Sequence, residues 1–499
     1  MPSDRYPKLK APQTDGQTLL WPDGATLLAA TRENHRRLPE HEAVRLCGVP
    51  LPRVRTWQRR WLGHPAADQP LVGTGHQSEL YHPGVWVKNI AIDIAARKLG
   101  GMAMHFSVDT DSPKHLELRW PGGGAIITDD PLRSEAKWTG RLRCPTAAYV
   151  QEMSKRLADA AAGWQHQPVA RDFLACLGHL AGQDADLPTA LAHAHQRVDR
   201  GLGLQHQSVV CSPMWRSTGY LLFAYDLLRR AGDFAAAYNR ALAVFRKEHA
   251  IHSPGRPMPD LSIDGEFCEA PFWVDSLSDG FRKRATVVRH GDLWTLRHGD
   301  DVFEFAAPTD GWVAAESLQT WLSRHKLRLS PRALTLTTFL RLCVVDQFVH
   351  GIGGALYDQV TDGIIRDWFG MEPPAFSVAT ATMLFPAAVG RQPVCLHCLR
   401  QEGRRIGQDV LGGQKQEFLA KIAALPRRIA QRTQVFFEMH RELARASQTS
   451  PQLTAWHDRY RQAYSLHEVE QAIFDRELPY TIQPQDRLQA MNYRFESQF

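Results

Sequence analysis

Two periods of apolar and polar positions alternate along the chain, and the sharpest change falls in the roughly forty residues after Pro70. Leu71-Val72-Gly73-Thr74 is a short apolar run ending in glycine, the pattern of a strand. The segment GHQSELYHPG (75–84) reads as a loop. Over 85–99, Val87, Ile90, Ala91, Ile94 and Ala95 recur at helical spacing, and Gly100-Gly101 stops that helix. Met102 to Val108 (MAMHFSV) reads as a buried strand, and Asp109-Thr110-Asp111 follows it. Strand, loop, helix and strand in this order predict a βαβ unit, hence an α/β fold with a parallel sheet and right-handed crossovers.

Beyond this unit the pattern is mainly helical. Residues 146–205 are Ala-, Leu- and His-rich helix, 207–212 (QSVVCS) is a second strand, and helices are expected near 216–231 and 233–248. Pro254, Pro257 and Pro259 break the chain. Residues 285–306 alternate as hairpin strands, turning at His290-Gly291-Asp292 and His298-Gly299-Asp300. An apolar stretch (331–349) leads to His350-Gly351-Ile352-Gly353-Gly354, which opens a helix of about 355–369 with Leu356, Val360, Ile364 and Trp368 on one face. In 414–446, Phe418, Ile422, Leu425, Ile429, Phe436 and Leu443 have heptad-like spacing. Residues 452–476 repeat the style through Leu453, Trp456, Tyr460, Val469 and Ile473, with SQTSPQ (447–452) as the turn. These predict an antiparallel helical arm, kinked or stopped at Pro426. Two amphipathic helices packed on the core would give the same pattern. The expected organisation is a core over 1–390, an arm over 391–476 and a return over 477–499.

Composition sets limits. The 499 residues carry 43% hydrophobic and 22% charged positions, so the chain can bury a large core and is not disordered as a whole. A net charge of +6 is too small over this length to argue for nucleic acid, but suits a phosphorylated or carboxylated small molecule. No run approaches the roughly 18 apolar residues of a membrane span. MPSDRYPKLKAPQTDG lacks the apolar region of a secretory signal. Eight scattered cysteines do not form a disulfide framework, so a reduced cytoplasmic protein is expected.

The candidate chemistry gathers at strand ends. Ligands of open parallel sheets bind at the carboxyl ends of the strands. The first such loop offers Thr74, Gly75, His76, Gln77, His82, Gly84 and, one turn into the helix, Lys88. Glycines would let a phosphate approach the backbone, and His76, His82 and Lys88 would neutralise developing anionic charge as catalytic groups. Asp109 and Asp111 would hold an amine, a ribose or Mg2+, unless they only make an Asx turn. His350, Gly351, Gly353, Gly354, Tyr357 and Asp358 would form a second backbone cradle, unless the glycines only permit tight packing. Glu266, Glu269 and Trp273, near Arg282, Lys283 and Arg284, read better as a salt-bridged surface than as a pocket. Cys395-Leu-His-Cys398 is a single CxxC; zinc there would need His397 or distant ligands such as Cys343 or His350, and a thioredoxin-like role lacks the preceding strand. No GxSxG, HExxH or Walker pattern occurs.

Leu71 to Leu99 also resembles the signature segment of the bacillithiol synthase family of cysteine-adding enzymes. That segment has Thr-Gly-Gln-Gln, a Gly-Pro turn and a Lys opening an apolar helix; Thr74, Gly75, Gln77, Gly84 and Lys88 match it. Val108 to Asp111 is similar to the family's strand and acidic cluster, and Ser330-Pro331 through Tyr357 to its apolar run, Gly-Gly turn and Tyr. Residues 414–476 and the return at Leu488-Gln489 resemble its coiled-coil insertion. His76 replaces the first Gln, and Gly354 stands where the family has Glu. The resemblance implies a Rossmann-like core of nucleotidylyltransferase type, with insertions near 140–205 and 255–325 and a coiled-coil arm suited to a homodimer. It further implies ATP or ADP with Mg2+, and a ligase or transferase joining a cysteine-like amino acid to an amine such as a glucosaminyl-malate. Two other readings stand beside it. One is a nucleotidylyltransferase using His82, although His82-Pro-Gly-Val lacks the second His of HxGH. The other is a non-catalytic helical-arm protein that keeps a degenerate nucleotide site.

Overall fold

The computed structural model describes residues 7–64, 68–183 and 185–499, except the side chains of 466 and 468–470, so Val469 lies outside the described residues. The chain folds into two units, Met1–Met383 with Arg476–Phe499, and Leu384–Asp475.

The first unit is a mixed α/β structure built on a six-stranded sheet. Its elements are β1 (Thr18–Trp21), β2 (Leu71–Gln77), α1 (Pro83–Leu99), β3 (Met102–Val108), β4 (Gln207–Val210), β5 (Gln347–His350), α2 (Ile352–Phe369) and β6 (Phe376–Ala381). The spatial order is β1-β6-β5-β2-β3-β4, and every neighbouring pair except β1–β6 is parallel. β2 runs to Gln77 rather than Thr74, because His76 and Gln77 still pair with Ser107 and Val108. The expected helices of 85–99 and 355–369 start earlier, at Pro83 and Ile352.

Local chemistry explains the βαβ unit. His82 caps α1, Pro83 occupies the first turn where its missing N–H costs nothing, and Arg97 and Lys98 lie in the last turn. Gly100 ends the helix at φ 63°. Trp86, Val87, Ile90, Ala91, Ile94 and Ala95 are fully buried, so this helix is apolar nearly all round and lies inside the unit.

Long connections separate the later strands. Helices Ala147–Ala161, Ala170–Leu180 and Leu187–Gly201 fall between β3 and β4. Between β4 and β5 lie four further α-helices, Thr218–Arg229, Ala231–Glu248, Gly311–Arg324 and Ala333–Phe339, and a second, antiparallel sheet. It orders the strands Asp301–Ala306, Leu293–His298, Arg282–His290, Phe267–Ser276 and Leu327–Pro331. Its hairpins turn where the two His-Gly-Asp triplets predict. One contiguous core joins both sheets, from Leu71, Met104 and Phe106 to Ala270, Phe272 and Leu329.

At the amino ends of β2 and β5 a buried carboxylate holds the two strands. Asp346 accepts hydrogen bonds from Arg55 (2.7 Å) and the backbone N–H of Leu71 (2.8 Å), and meets Arg59 (3.2 Å) and His35 (3.1 Å). Burial alone would raise its pKa; the His35 contact and the two arginine charges outweigh that and lower it.

The second unit is helical. The segment 414–446, expected to be kinked or stopped at Pro426, is two helices, Gly413–Ala424 and Ala430–Thr449, with Pro426 in the break. The turn expected over 447–452 shrinks to Ser450, which caps Pro451–Phe474. Leu396–Asp409 lies along Pro451–Phe474: the Trp456 ring packs against Gly403, and its indole N–H donates to the Leu399 carbonyl at 2.7 Å. Gly413–Ala424 pairs with Ala430–Thr449. This pairing differs from the arm expected from the heptads, which mark an apolar stripe without saying what it meets.

Candidate functional site

The strand order places a reversal between β2 and β5: from β2 the chain builds outward to β3 and β4, then returns to the other side for β5 and β6. Crevices form at the carboxyl edge beside such a reversal. Here the opening is visible in the ladders. β2 stays paired with β3 through Gln77–Val108, but its pairing with β5 stops at Thr74–Val349. The edge of Gly75–Gln77 is thereby left open towards the end of β5. Both α1 and α2 begin at this edge.

On the β2 side the expected residues divide into ligand-facing and structural groups. Thr74 is buried and donates to the Val349 carbonyl (2.7 Å), tying β2 to β5. Gly75 and Gly84, expected to admit a phosphate, face protein. A Cβ on Gly75 would lie 3.1 Å from the Phe106 carbonyl oxygen, and one on Gly84 2.8 Å from the Ala381 oxygen. These glycines let elements pack closely. The His82 imidazole caps α1, its Nδ1 accepting from Gly84 N–H at 3.1 Å.

The charged groups form one cluster. Lys88 Nζ donates to the Gly75 carbonyl (2.7 Å), and His76 Nδ1 lies 3.3 Å from Glu79 Oε1. Burial pushes the Lys88 ammonium down to about 7, with Glu79 pulling the other way. Burial also pushes Glu79 up to about 8, and Lys114 opposes it. His76 is held well below its ordinary value by burial and by the Lys88 and His82 charges. Burial thus moves Lys88 and Glu79 in opposite directions, both towards neutral pH. Gln77 Nε2 donates to Asp111 Oδ2 (3.1 Å). Asp109, expected to bind an amine or metal, is a structural tie: Oδ1 accepts from Ser212 N–H (2.8 Å), and Oδ2 lies where a Cβ on Gly140 would come within 2.7 Å.

The β5 side is more open. His350 Nε2 contacts Asp358 at 3.0 Å, and Asp358 pairs with the buried Arg341 at 2.6 Å. Burial works against ionised Asp358, but the Arg341 charge and His350 hold its carboxyl well below the usual range. A carboxylate fixed in this way sets the imidazole's orientation and tautomer, leaving Nδ1 as the acceptor. Gly354 sits against that Nδ1, where a Cβ would come within 3.1 Å. Gly351 and Gly353 have nothing within 4 Å of a Cβ position, and no side chain among the described residues caps α2. Tyr357 is 41% exposed one turn further on. The glycine positions at the uncapped start of α2 are thus open beside an oriented histidine, and an uncapped helix start with its N–H groups is suited to an anion.

Sequence reasoning missed several members. Glu79 stands in a segment read as loop. Arg341 carries a sequence signal of its own: a lone arginine inside an apolar run must find a buried partner. A third group lies beneath the ends of β2 and β3. Asp199 accepts from Trp86 (2.8 Å) and Asn89 (3.0 Å), His105 bonds Asn89 (2.7 Å), and His195 bonds Tyr480 (3.0 Å) and the Glu79 carbonyl (3.1 Å). Tyr81 stacks on His195 at 4.2 Å. The cavity here, about 10 Å3, has room for a single water. Tyr480 belongs to the returning segment after Arg476, which this network fastens to the core.

Burial pushes His195 down to about 3, so the folded state keeps it neutral while the unfolded chain takes up a proton below about 6.5. Its stabilising contribution is complete above pH 6.5 and is lost as pH falls towards 3. Asp199, raised by burial to about 7, opposes this, since the folded state keeps its proton. Unfolding curves between pH 6.5 and 4 should therefore show a smaller acid-induced loss in His195→Gln than in the parent; an equal or larger loss would refute the assignment.

Among the described residues no group of three or more His, Cys, Asp or Glu side chains could hold a metal ion. Cys395 and Cys398 are joined as a disulfide, and His397 bonds Gln401 (2.9 Å). Among the described residues no helix is long and apolar enough to cross a membrane. No protein-family model matches this chain, and no curated protein matches it.

Proposed function

We propose that the crevice between β2 and β5 binds the phosphates of a nucleotide, ATP or ADP, and that the chain is a ligase or transferase resembling bacillithiol synthase. It would activate the carboxylate of a cysteine-like amino acid and join it to an amine acceptor of the glucosaminyl-malate kind. The core would then be Rossmann-like, of nucleotidylyltransferase type, and the helical unit a coiled-coil arm that also suits a homodimer. The observation that carries the reading is the uncapped start of α2, open at Gly351 and Gly353, next to the strand reversal.

Amide formation needs an activated carboxyl, a deprotonated amine and stabilised anionic charge held in one place. The α2 amides would receive phosphate oxygens. Lys88, poised near neutrality, would add a proton or positive charge at the β2 side, with Glu79 as its partner. His350, oriented by Asp358, would take the proton from the attacking amine through Nδ1. Asp109 and Asp111 each accept one hydrogen bond, and among the described residues they belong to no group of three or more side chains that could hold a metal. Among the described residues a metal accompanying ATP would meet no group of three or more such ligands.

Incubation with ATP, amino acids and an amine acceptor should release phosphate or pyrophosphate in step with amide. His350→Gln should slow that release by about 100-fold or more, the usual range for losing a general base. The absence of ATP consumption with any acceptor would overturn the reaction assignment, and an unimpaired His350→Gln would overturn the role of His350.

A further inference from the structure

Eight cysteines fall into two chemical groups. Cys47, Cys211 and Cys343 are buried and Cys144, Cys176 and Cys268 partly so; burial raises the pKa of all six, which makes them poor nucleophiles. Cys395 and Cys398 differ in every respect. Both are exposed, they are bonded to each other, and they sit at the start of the helix Leu396–Asp409. Cys395 is its capping residue, and its Sγ accepts the Cys398 N–H at 3.1 Å. The surrounding segment 391–405 carries Arg391, Arg400, Arg404 and Arg405 against Glu402 alone.

We propose that Cys395 and Cys398 are a reversible dithiol–disulfide pair that exchanges with an anionic low-molecular-weight thiol. Three observations meet here. An oriented N–H and the helix start favour a thiolate on Cys395. Exposure gives a small disulfide access to it. The arginine-rich segment draws partners bearing carboxylates. In the oxidising direction the Cys395 thiolate attacks one sulfur of a small disulfide RSSR; the S–S bond breaks, RS− leaves, and Cys395 carries a mixed disulfide. Cys398, after losing its proton to solvent, attacks Cys395 Sγ, forms the internal bond and expels the second RS−. The protein dithiol is oxidised by two electrons and RSSR is reduced to two thiols. The reverse sequence regenerates the dithiol. This role is independent of the nucleotide reading, because it concerns the other unit and needs neither ATP nor the crevice.

The full-length protein, equilibrated in buffers of varied reduced-to-oxidised glutathione ratio and trapped with an alkylating agent, reports the state of each cysteine by peptide mass. Cys395 and Cys398 should interconvert together and reversibly, while the other six stay reduced. In the reduced protein Cys395 should alkylate at least about tenfold faster at pH 7 than any of those six. Cys398→Ser should accumulate one glutathione on Cys395, and Cys395→Ser with the same oxidant should not. A pair that glutathione neither opens nor closes, or a Cys398→Ser protein that takes up no glutathione, would overturn the proposal. So would a reduced protein that binds one zinc tightly at this pair and thereby resists alkylation.

Discussion

Replacing Asp346 by alanine is expected to lower the unfolding free energy of the first unit by about 3–5 kcal/mol, the cost of deleting one partner of a buried ion pair. The carboxylate is fully buried and serves four groups at once: Arg55, Arg59, His35 and the Leu71 amide. Without it Arg55, already pushed down to about 10 by burial, would have a buried charge and no acid beside it. Chemical denaturation followed by tryptophan fluorescence would show the midpoint move with little change in slope. A loss below about 1 kcal/mol would mean that the site relaxes or hydrates, and that this carboxylate does not fix the spacing of the two strands. Strand spacing matters for function, since the crevice lies at the other ends of the same two strands.

The second large effect concerns Gly353. A side chain there meets nothing within 4 Å, so Gly353→Asp costs no packing, and its carboxylate in the first turn of α2 favours the helix by up to about 1 kcal/mol. The same carboxylate would occupy the amides proposed for phosphate and set like charge against it, a juxtaposition costing several kcal/mol. Nucleotide affinity should fall by about 100-fold or more while stability holds or rises. This separation of stability from binding distinguishes a ligand site from a glycine kept for folding.

The parts of the structure legible in the sequence are those in which local pattern and tertiary role coincide. The segment 71–108 changes period twice, is capped by His82 and closed by Gly100, and folds as its pattern predicts. The hairpins over 282–306 announce themselves by their His-Gly-Asp turns. The strand Phe267–Ser276 was hidden by Pro271, which sits at a bulge between Glu269 and Trp273 where the ladder shifts register. Glu269, expected on a salt-bridged surface, bridges Arg284 and Arg332 there but is itself buried. β1 is only four residues long, and β6 mixes Ser377 and Thr380 with apolar residues, so neither declares a strand by its pattern.

At the candidate site the residue types were visible but their assignments were not. Glycines at 75, 84, 351 and 353 look alike in sequence; only the fold reveals that two face protein and two face open space. Arg341 with Asp358, and Arg55 with Asp346, join positions 17 and 291 apart, and neither pairing leaves a periodic trace.

Calorimetric titration of ATP and ADP into the parent protein and Gly353→Asp, at equal folded fraction, tests the anion-binding role of the crevice most directly. Saturable binding to the parent and its near-complete loss in a variant of undiminished stability is the predicted result. Equal binding by both proteins, or no nucleotide binding by the parent, would contradict it.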